Sequence, residues 1–217
     1  MAEPSHVPRA VIQRISFYLR QLEQLRHEGA DTTSSAQLGE AIGASGAQVR
    51  KDLACFGHFG RRGVGYEVDR LIRILRAILA VDREWHVAVV GAGNIGRALS
   101  THRVFYERGF RIVAVFDNDA RKEGSACGSF KVRPMWDLDR AVRELGISVG
   151  IIAVPSHSAQ QVADQLVAAG VRGLLNFAPV RVRVPDGFEV RSVDFAAELQ
   201  QLAFHVAHLH NHDGPNE

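Results

Sequence analysis

Gly91-Ala92-Gly93-Asn94-Ile95-Gly96 follows the apolar run His86–Val90 and opens a further apolar stretch. Glycine in the first place permits a tight turn, in the second lets backbone approach a pyrophosphate, and in the third lets a helix pack close to a strand. A helix starting there aims unpaired N–H groups at phosphate. The run Val113–Phe116 then ends at Asp117, 21 residues beyond Gly96. Folds of this kind place an acid there, on a ribose 2′-hydroxyl. A carboxylate repels a 2′-phosphate, so the pattern favours NAD(H) over NADP(H), with Arg121 and Lys122 the nearby cations that oppose this preference. A tight turn followed by a solvated Asp is the plainer alternative. Ala153-Val154-Pro155 and Asn176-Phe177-Ala178-Pro179 each close a predicted strand. Ligands bind at the carboxyl ends of strands in open α/β sheets. Val154, Pro155, Asn176, Phe177, Ala178 and Pro179 are therefore candidates for a mainly apolar nicotinamide pocket, although such loops can also do no more than end strands.

A second chemical pattern is basic. In Ala47-Gln48-Val49-Arg50-Lys51-Asp52-Leu53-Ala54-Cys55-Phe56, the side chains Val49, Leu53 and Phe56 fall inward, leaving Gln48, Arg50, Lys51 and Asp52 to the surface. Arg pairs bidentately with guanine in the major groove and Gln with adenine; Lys51 suits a base or a phosphate. Arg61 and Arg62 sit among glycines at a predicted hairpin tip, where they suit minor-groove insertion. Ser34 and Ser35, opening a helix, offer hydroxyl and N–H groups to phosphate. A small helical domain with an ordinary charged face is the competing view.

Those residues need elements to hold them. Pro8 suits a first helical turn, and Val11, Ile15, Tyr18, Leu19, Leu22 and Leu25 follow at helical spacing until Gly29. Ser34 with Gln37 matches a capping box for a short second helix. Gly43–Gly46 makes a turn before a third, ending at Gly57, and Gly57–Tyr66 reads as a hairpin loop. Asp69 is expected to cap a fourth helix. From Trp85 the pattern changes to alternating strand and helix, which predicts a parallel sheet covered on both faces. The expected strands are His86–Val90, Arg111–Phe116, Val149–Val154 and Leu174–Phe177, with helices at Ala159–Ala169 and Asp194–His208. This gives a helix-rich N-terminal DNA-binding domain over residues 1–80 and an α/β, Rossmann-type doubly wound domain over 81–192.

Net charge is +2, divided as +3 over residues 1–80 and −1 beyond, too mild by itself to imply nucleic acid. No apolar run approaches the roughly 20 residues of a membrane span, and MAEPSHVPRA is too polar for a secretory signal. With two cysteines and no disulfide framework, a cytoplasmic chain is expected. Cys55 is read as a packing residue. His205, His208, His210 and His212 are read as a frayed tail, not a metal site, so neither a metal nor a membrane is an expected partner.

The combination Gln48–Leu53, Phe56-Gly57 and Arg62-Gly63-Val64-Gly65-Tyr66 resembles the redox-sensing transcriptional repressor (Rex) family. So do the glycine fingerprint, Phe116-Asp117, Asn176–Pro179 and Val193-Asp194-Phe195. The resemblance spans about Val7 to Leu202 and implies a winged helix with Tyr66 at its DNA surface. It also implies a homodimer in which residues 193–217 form a helix and tail swapped between subunits. Double-stranded palindromic operator DNA would be bound when NADH is scarce and released when it rises, with NAD⁺ competing. Asp194 and Arg20 match a switch pair. His102 stands where many members carry Tyr near the nicotinamide, which introduces a pH-sensitive group there. An NAD-dependent oxidoreductase is the main rival, although only 41 residues follow Asn176 and the best acid/base group, His157, lies in a polar Ser-His-Ser loop. A sensor of CoA or another adenine nucleotide is the third reading.

Overall fold

The computed structural model describes residues 7–61 and 63–209. Among them the chain forms two compact units, dividing between Glu84 and Trp85.

In the first unit, Pro8 precedes α1 (Arg9–His27), which buries Val11, Ile15, Tyr18, Leu19 and Leu22 along one stripe. Ser34 caps α2 (Ser35–Glu40) by the expected reciprocal box: the Gln37 N–H donates to Ser34 Oγ at 3.1 Å and the Ser34 N–H to Gln37 Oε1 at 2.8 Å. Ser45 likewise caps α3 (Gly46–Ala54). α4 (Val68–Ile78) lays Val68, Leu71, Ile72 and Leu75 into the core shared with α1, Leu38, Val49 and Leu53. Each such apolar side chain contributes about 1.5–3 kcal/mol on burial. No side chain caps α4; Asp69, the expected cap, stands in its first turn, where its charge still suits the helix dipole. The expected hairpin is reduced to a bridge between Arg61 and Gly65, while β2 (Tyr66–Glu67) pairs antiparallel with β1 (Thr32–Thr33). Four residues on each side of a tip leave little length for a ladder, and β1 supplies the alternative partner.

The second unit is built on β3 (Trp85–Val90), β4 (Phe110–Asp117), β5 (Ala126–Cys127), β6 (Phe130–Pro134), β7 (Ile147–Ile152), β8 (Gly173–Asn176) and β9 (Glu189–Ser192). They form one sheet of order β5-β6-β4-β3-β7-β8-β9, parallel throughout except for β5 against β6. Counted from β3 and setting β5 aside, this is the 3-2-1-4-5-6 order of dinucleotide folds, with its reversal between β3 and β7. Val87, Val89, Val115 and Ile151 enter the core on one face, and Ala88, Val90, Ala114, Phe116 and Ile152 the core on the other. This burial of both faces explains why the central strands read as continuous apolar runs. The helices are α5 (Asn94–Thr101), α6 (Val104–Glu107), α7 (Leu138–Leu145), α8 (Ser156–Ala168) and α9 (Phe195–Leu209). The strands β5, β6 and β9 and the helix α7 were not anticipated from sequence. Along α9, Phe195, Leu199, Leu202, Phe204 and Val206 are all exposed. No helix among the described residues is long and apolar enough to cross a membrane.

Candidate functional site

β3 ends at Val90, and the chain turns through Gly91 at φ +108°, with the Gly91 N–H donating to the Phe116 carbonyl at 2.7 Å. A Cβ on Gly91 would lie 2.3 Å from the Ala153 carbonyl oxygen, and one on Gly96 only 1.8 Å from that of Gly91. Both contacts exclude a side chain. At Gly93, by contrast, a Cβ would meet nothing within 4 Å. The three glycines therefore divide as the pattern requires: two allow close packing of the protein on itself, and one keeps the surface low where a ligand backbone passes. Gly93 is also the N-cap of α5 and supplies no capping side chain, so the first-turn N–H groups of that helix have no side-chain partner at the cap.

Asp117 ends β4 beside this turn and is buried. Its Oδ2 accepts from the Ala92 N–H at 2.8 Å and from Lys122 Nζ at 2.8 Å, and its Oδ1 accepts from the Asp119 N–H at 2.9 Å. Burial alone would raise its pKa, but the Lys122 ammonium and the two N–H donors outweigh burial and hold it below the ordinary carboxylate value. Asp119 is engaged by Arg121, through Nε at 2.9 Å and Nη2 at 2.9 Å, which holds its carboxyl down to about 2.

A cavity of about 340 Å³ opens at the reversal of strand order and brings together Gly91, Gly93, Asp117, Lys122, Val154 and Pro155. That is within the range of small-molecule sites. The lining also includes Met135, His157, Gln161 and Gln165. Sequence reasoning named His157, as the best acid/base group of the rival reading, and missed the other three; His157 is exposed at the cavity's edge. The signal for the glutamines was available, because positions 157, 161 and 165 share one face of a helix.

Several expected ligand residues are otherwise engaged. Asn176 is fully buried; its Nδ2 donates toward the carbonyls of Ala178 at 3.1 Å and Val180 at 2.8 Å and toward Ser192 Oγ at 3.4 Å, and its Oδ1 accepts from the Ala178 N–H at 3.0 Å. It shapes the loop after β8: its amide N–H groups are taken up by the protein's own acceptors, and the side chain lies outside the cavity lining. Ala178 is buried in the same loop and Pro179 is exposed. Phe177 packs on Phe195, the first residue of α9, with ring centroids 6.0 Å apart. Ala92 is buried, and Asn94 and Ile95 are exposed. His102, at the C-terminus of α5, is exposed and edge-on to Phe105. None of these lines the cavity.

In the first unit, a groove between α3 and the bridge at Arg61 is lined by Ser34, Ser35, Arg50, Lys51, His58 and Arg61. Arg50 Nη1 donates to Ser35 Oγ at 2.7 Å, tying the exposed arginine to the start of α2. Arg62 lies outside the described residues. Ser34 Oγ accepts the capping bond of α2 as Ser35 Oγ accepts from Arg50, so each serine keeps its own O–H to donate. Tyr66 is buried against the core, which pushes its phenol pKa up, and it also forms part of the wall of this groove.

Asp52, assigned to the surface, is buried instead. Its Oδ2 accepts from Arg14 Nε at 2.6 Å and from the Tyr18 hydroxyl at 2.9 Å, and its Oδ1 from Arg14 Nη2 at 2.8 Å and Gln48 Nε2 at 2.7 Å. Burial opposes the ionised form, but those donors outweigh it and hold Asp52 below the ordinary value. The hydrogen bond to Asp52 raises the Arg14 pKa, while burial and then Asp52 push Tyr18 up to about 12. The network clamps α3 to α1 and fixes Gln48, one of the expected base readers. Cys55, expected to be packed, is exposed. Arg20 lies over the Phe17 ring on α1, and Asp194 Oδ1 accepts from the N–H groups of Ala196 and Ala197, capping α9. His210 and His212 fall outside the described residues; His208 stacks on Phe204 with ring centroids 4.3 Å apart.

Comparison with known proteins adds an independent measure. Residues 82–180 match the family model described as a CoA binding domain, and residues 6–54 that of a putative DNA-binding protein N-terminus. The chain is 50% identical over 201 residues to the redox-sensing transcriptional repressor Rex of Desulforamulus reducens, covering 93% of this chain and 96% of that protein. Against the Rex of Carboxydothermus hydrogenoformans it is 50% identical over 200 residues, 92% of this chain and 96% of the other. Among solved structures, the chain superposes on RSP in complex with β-NAD⁺ and operator DNA with a TM-score of 0.87, at 33% identity and 92% coverage of both chains. The RSP complex with β-NADH gives 0.84 at 31% identity, covering 93% of this chain and 94% of that one.

Proposed function

The chain belongs to the redox-sensing transcriptional repressor Rex family, and on that premise we propose how its residues perform the work of an NADH-responsive repressor. The N-terminal unit grips operator DNA and the second binds NAD(H); the operator is released when NADH rises relative to NAD⁺. One observation carries this reading: a single chain joins a basic helix-and-bridge groove to a glycine cradle that ends at a buried acid.

On the DNA side, Arg50 and Lys51 from α3 face the major groove and Arg61 the flanking backbone or minor groove. Ser35 and the capped start of α2 meet a phosphate. Asp52 contributes by holding α3 rigidly on α1, so that these side chains arrive already oriented. On the nucleotide side, the N–H groups at the start of α5 receive the pyrophosphate, Gly93 allows its approach, and Asp117 accepts from the ribose hydroxyls. A 3′-phosphorylated ribose, as in CoA, would meet the same carboxylate unfavourably, which favours NAD(H) over CoA within this fold.

Discrimination between the two oxidation states must come from the nicotinamide, which is neutral when reduced and charged when oxidised. Val154 and Pro155 in the cavity wall offer an apolar surface to that ring, and burying an unpaired charge there is costly. The loop of Phe177 and Pro179 stands outside the cavity and would have to close over it. Phe177 touches the root of α9, so a shift of this loop passes to that helix. The exposed Phe195, Leu199, Leu202 and Val206 fit burial against a second copy of the chain, which makes a homodimer with exchanged α9 helices the natural assembly. A dimer reads two half-sites about 34–36 Å apart, so a modest rotation between its halves costs it one of them. Arg20 and Asp194 are the proposed ion pair biasing that equilibrium. Such a repressor works in the cytoplasm, where its operator is.

His157 lines the cavity and gives an oxidoreductase reading one specific foothold. Steady oxidation of NADH with a small carbonyl compound would favour it. The deciding experiment is a gel shift on a palindromic operator with NADH, NAD⁺, NADPH and CoA titrated separately. NADH should release the DNA, and NAD⁺ should compete with NADH without releasing it. DNA held as firmly in saturating NADH as in none would overturn the proposal.

A further inference from the structure

Lys122 bears on which nucleotides the cradle accepts. Two donors already occupy Asp117 Oδ2, the Ala92 N–H at 2.8 Å and Lys122 Nζ at 2.8 Å, while Oδ1 holds one, the Asp119 N–H at 2.9 Å. A carboxylate has about four acceptor positions in all. A ribose diol that donates to both oxygens therefore needs the place taken by Lys122, because the two backbone donors are fixed by the fold. The lysine side chain is 40% exposed and hangs from a short turn, so it is the donor able to leave. Once displaced, its ammonium remains at the rim on which the ribose 2′ position opens. Arg121 cannot take that part without breaking its two bonds to Asp119.

We infer that Lys122 is a specificity-determining residue of the nucleotide site: its ammonium sets how far the acidic cradle rejects a 2′-phosphorylated dinucleotide. The inference rests on the dinucleotide reading of the cradle given above. With Lys122 in place, a 2′-phosphate meets one carboxylate and one ammonium; without it, the phosphate meets the carboxylate alone. NADH loses only a competitor for Asp117, since its hydroxyls need no cation.

The test is binding of NADH and of NADPH to the full-length protein, wild type against Lys122→Met, followed by calorimetry. NADH affinity should hold or rise, because its ribose no longer has to displace an ammonium from Asp117. A charge-assisted bond to phosphate is lost for NADPH alone, so the preference for NADH should rise about ten- to a hundredfold. Lys122→Arg, which keeps the charge, should restore the wild-type ratio, and Arg121→Ala should leave it unchanged. A preference that does not move in Lys122→Met, or that moves in Arg121→Ala instead, overturns the inference while leaving the dinucleotide site intact. Wild-type protein that binds neither nucleotide removes the site itself and the inference with it.

Discussion

Asp52 and Asp117 are both buried carboxylates held in their ionised form, one in each unit, yet they are built for opposite ends. Asp52 accepts from side chains only, Arg14, Tyr18 and Gln48, and all of its acceptor positions are filled from within the protein. Asp117 is held by two backbone N–H groups that cannot leave and by one lysine that can. A carboxylate saturated by its own fold stabilises a helix; one left short of a donor, or holding an exchangeable one, is available to a ligand. The difference separates a structural acid from a binding acid without reference to sequence position.

The largest effect that would break this comparison is expected in the first unit. Asp52→Ala strands the Arg14 charge and the Tyr18 hydroxyl and should cost about 3 kcal/mol. Both tryptophans, Trp85 and Trp136, lie in the second unit. Urea unfolding followed by far-ultraviolet circular dichroism should therefore show the loss, while the tryptophan fluorescence transition stays where it was. A change confined to fluorescence would mean the roles are reversed. Next in size, Asp117→Ala should weaken NADH at least about tenfold, or about 1.4 kcal/mol. Its fluorescence-detected stability should fall by only about 1 kcal/mol, for the freed Ala92 N–H. Equal losses for the two alanine variants in both measurements would erase the distinction. The smallest effect is in acid. Asp52 has a lowered pKa, so its stabilisation is present above its unfolded value near 4 and is lost as pH falls through the lower folded one. The dichroism transition of the wild type should weaken by about 1 kcal/mol more than that of Asp52→Asn between pH 5 and pH 3.

What sequence could reveal followed the range of the interactions. The Ser34–Gln37 box, the three glycines and Asp117 at the end of its strand are local or fixed in spacing, and each was legible. α7 was legible but unread: Leu138, Ala141, Val142 and Leu145 keep helical spacing and Gly146 ends the helix in a left-handed conformation. β6 carried a period-2 alternation in Phe130-Lys131-Val132-Arg133, whereas β9, Glu189-Val190-Arg191-Ser192, has one half-buried residue and gives almost no signal. Asp52 was misread because residue type was allowed to override phase. Three residues after Val49, it falls on the inward face, and its partner Arg14 lies 38 residues away, beyond any local pattern. Cys55 failed in the opposite sense, four residues after Lys51 and thus on the outward face. Asn176 read as a ligand because its partners, Ala178, Val180 and Ser192, are set by the meeting of a loop and a strand end.

That single amide has a consequence for the character of the response. One side chain holds the loop after β8, the end of β9 and so the approach to α9, and turning it breaks every one of those bonds together. Such a clasp is either fastened or undone. A segment anchored in this way passes from one setting to another in a step, and graded occupancy of the cradle becomes a count of molecules in each setting, not a degree of bending in all of them.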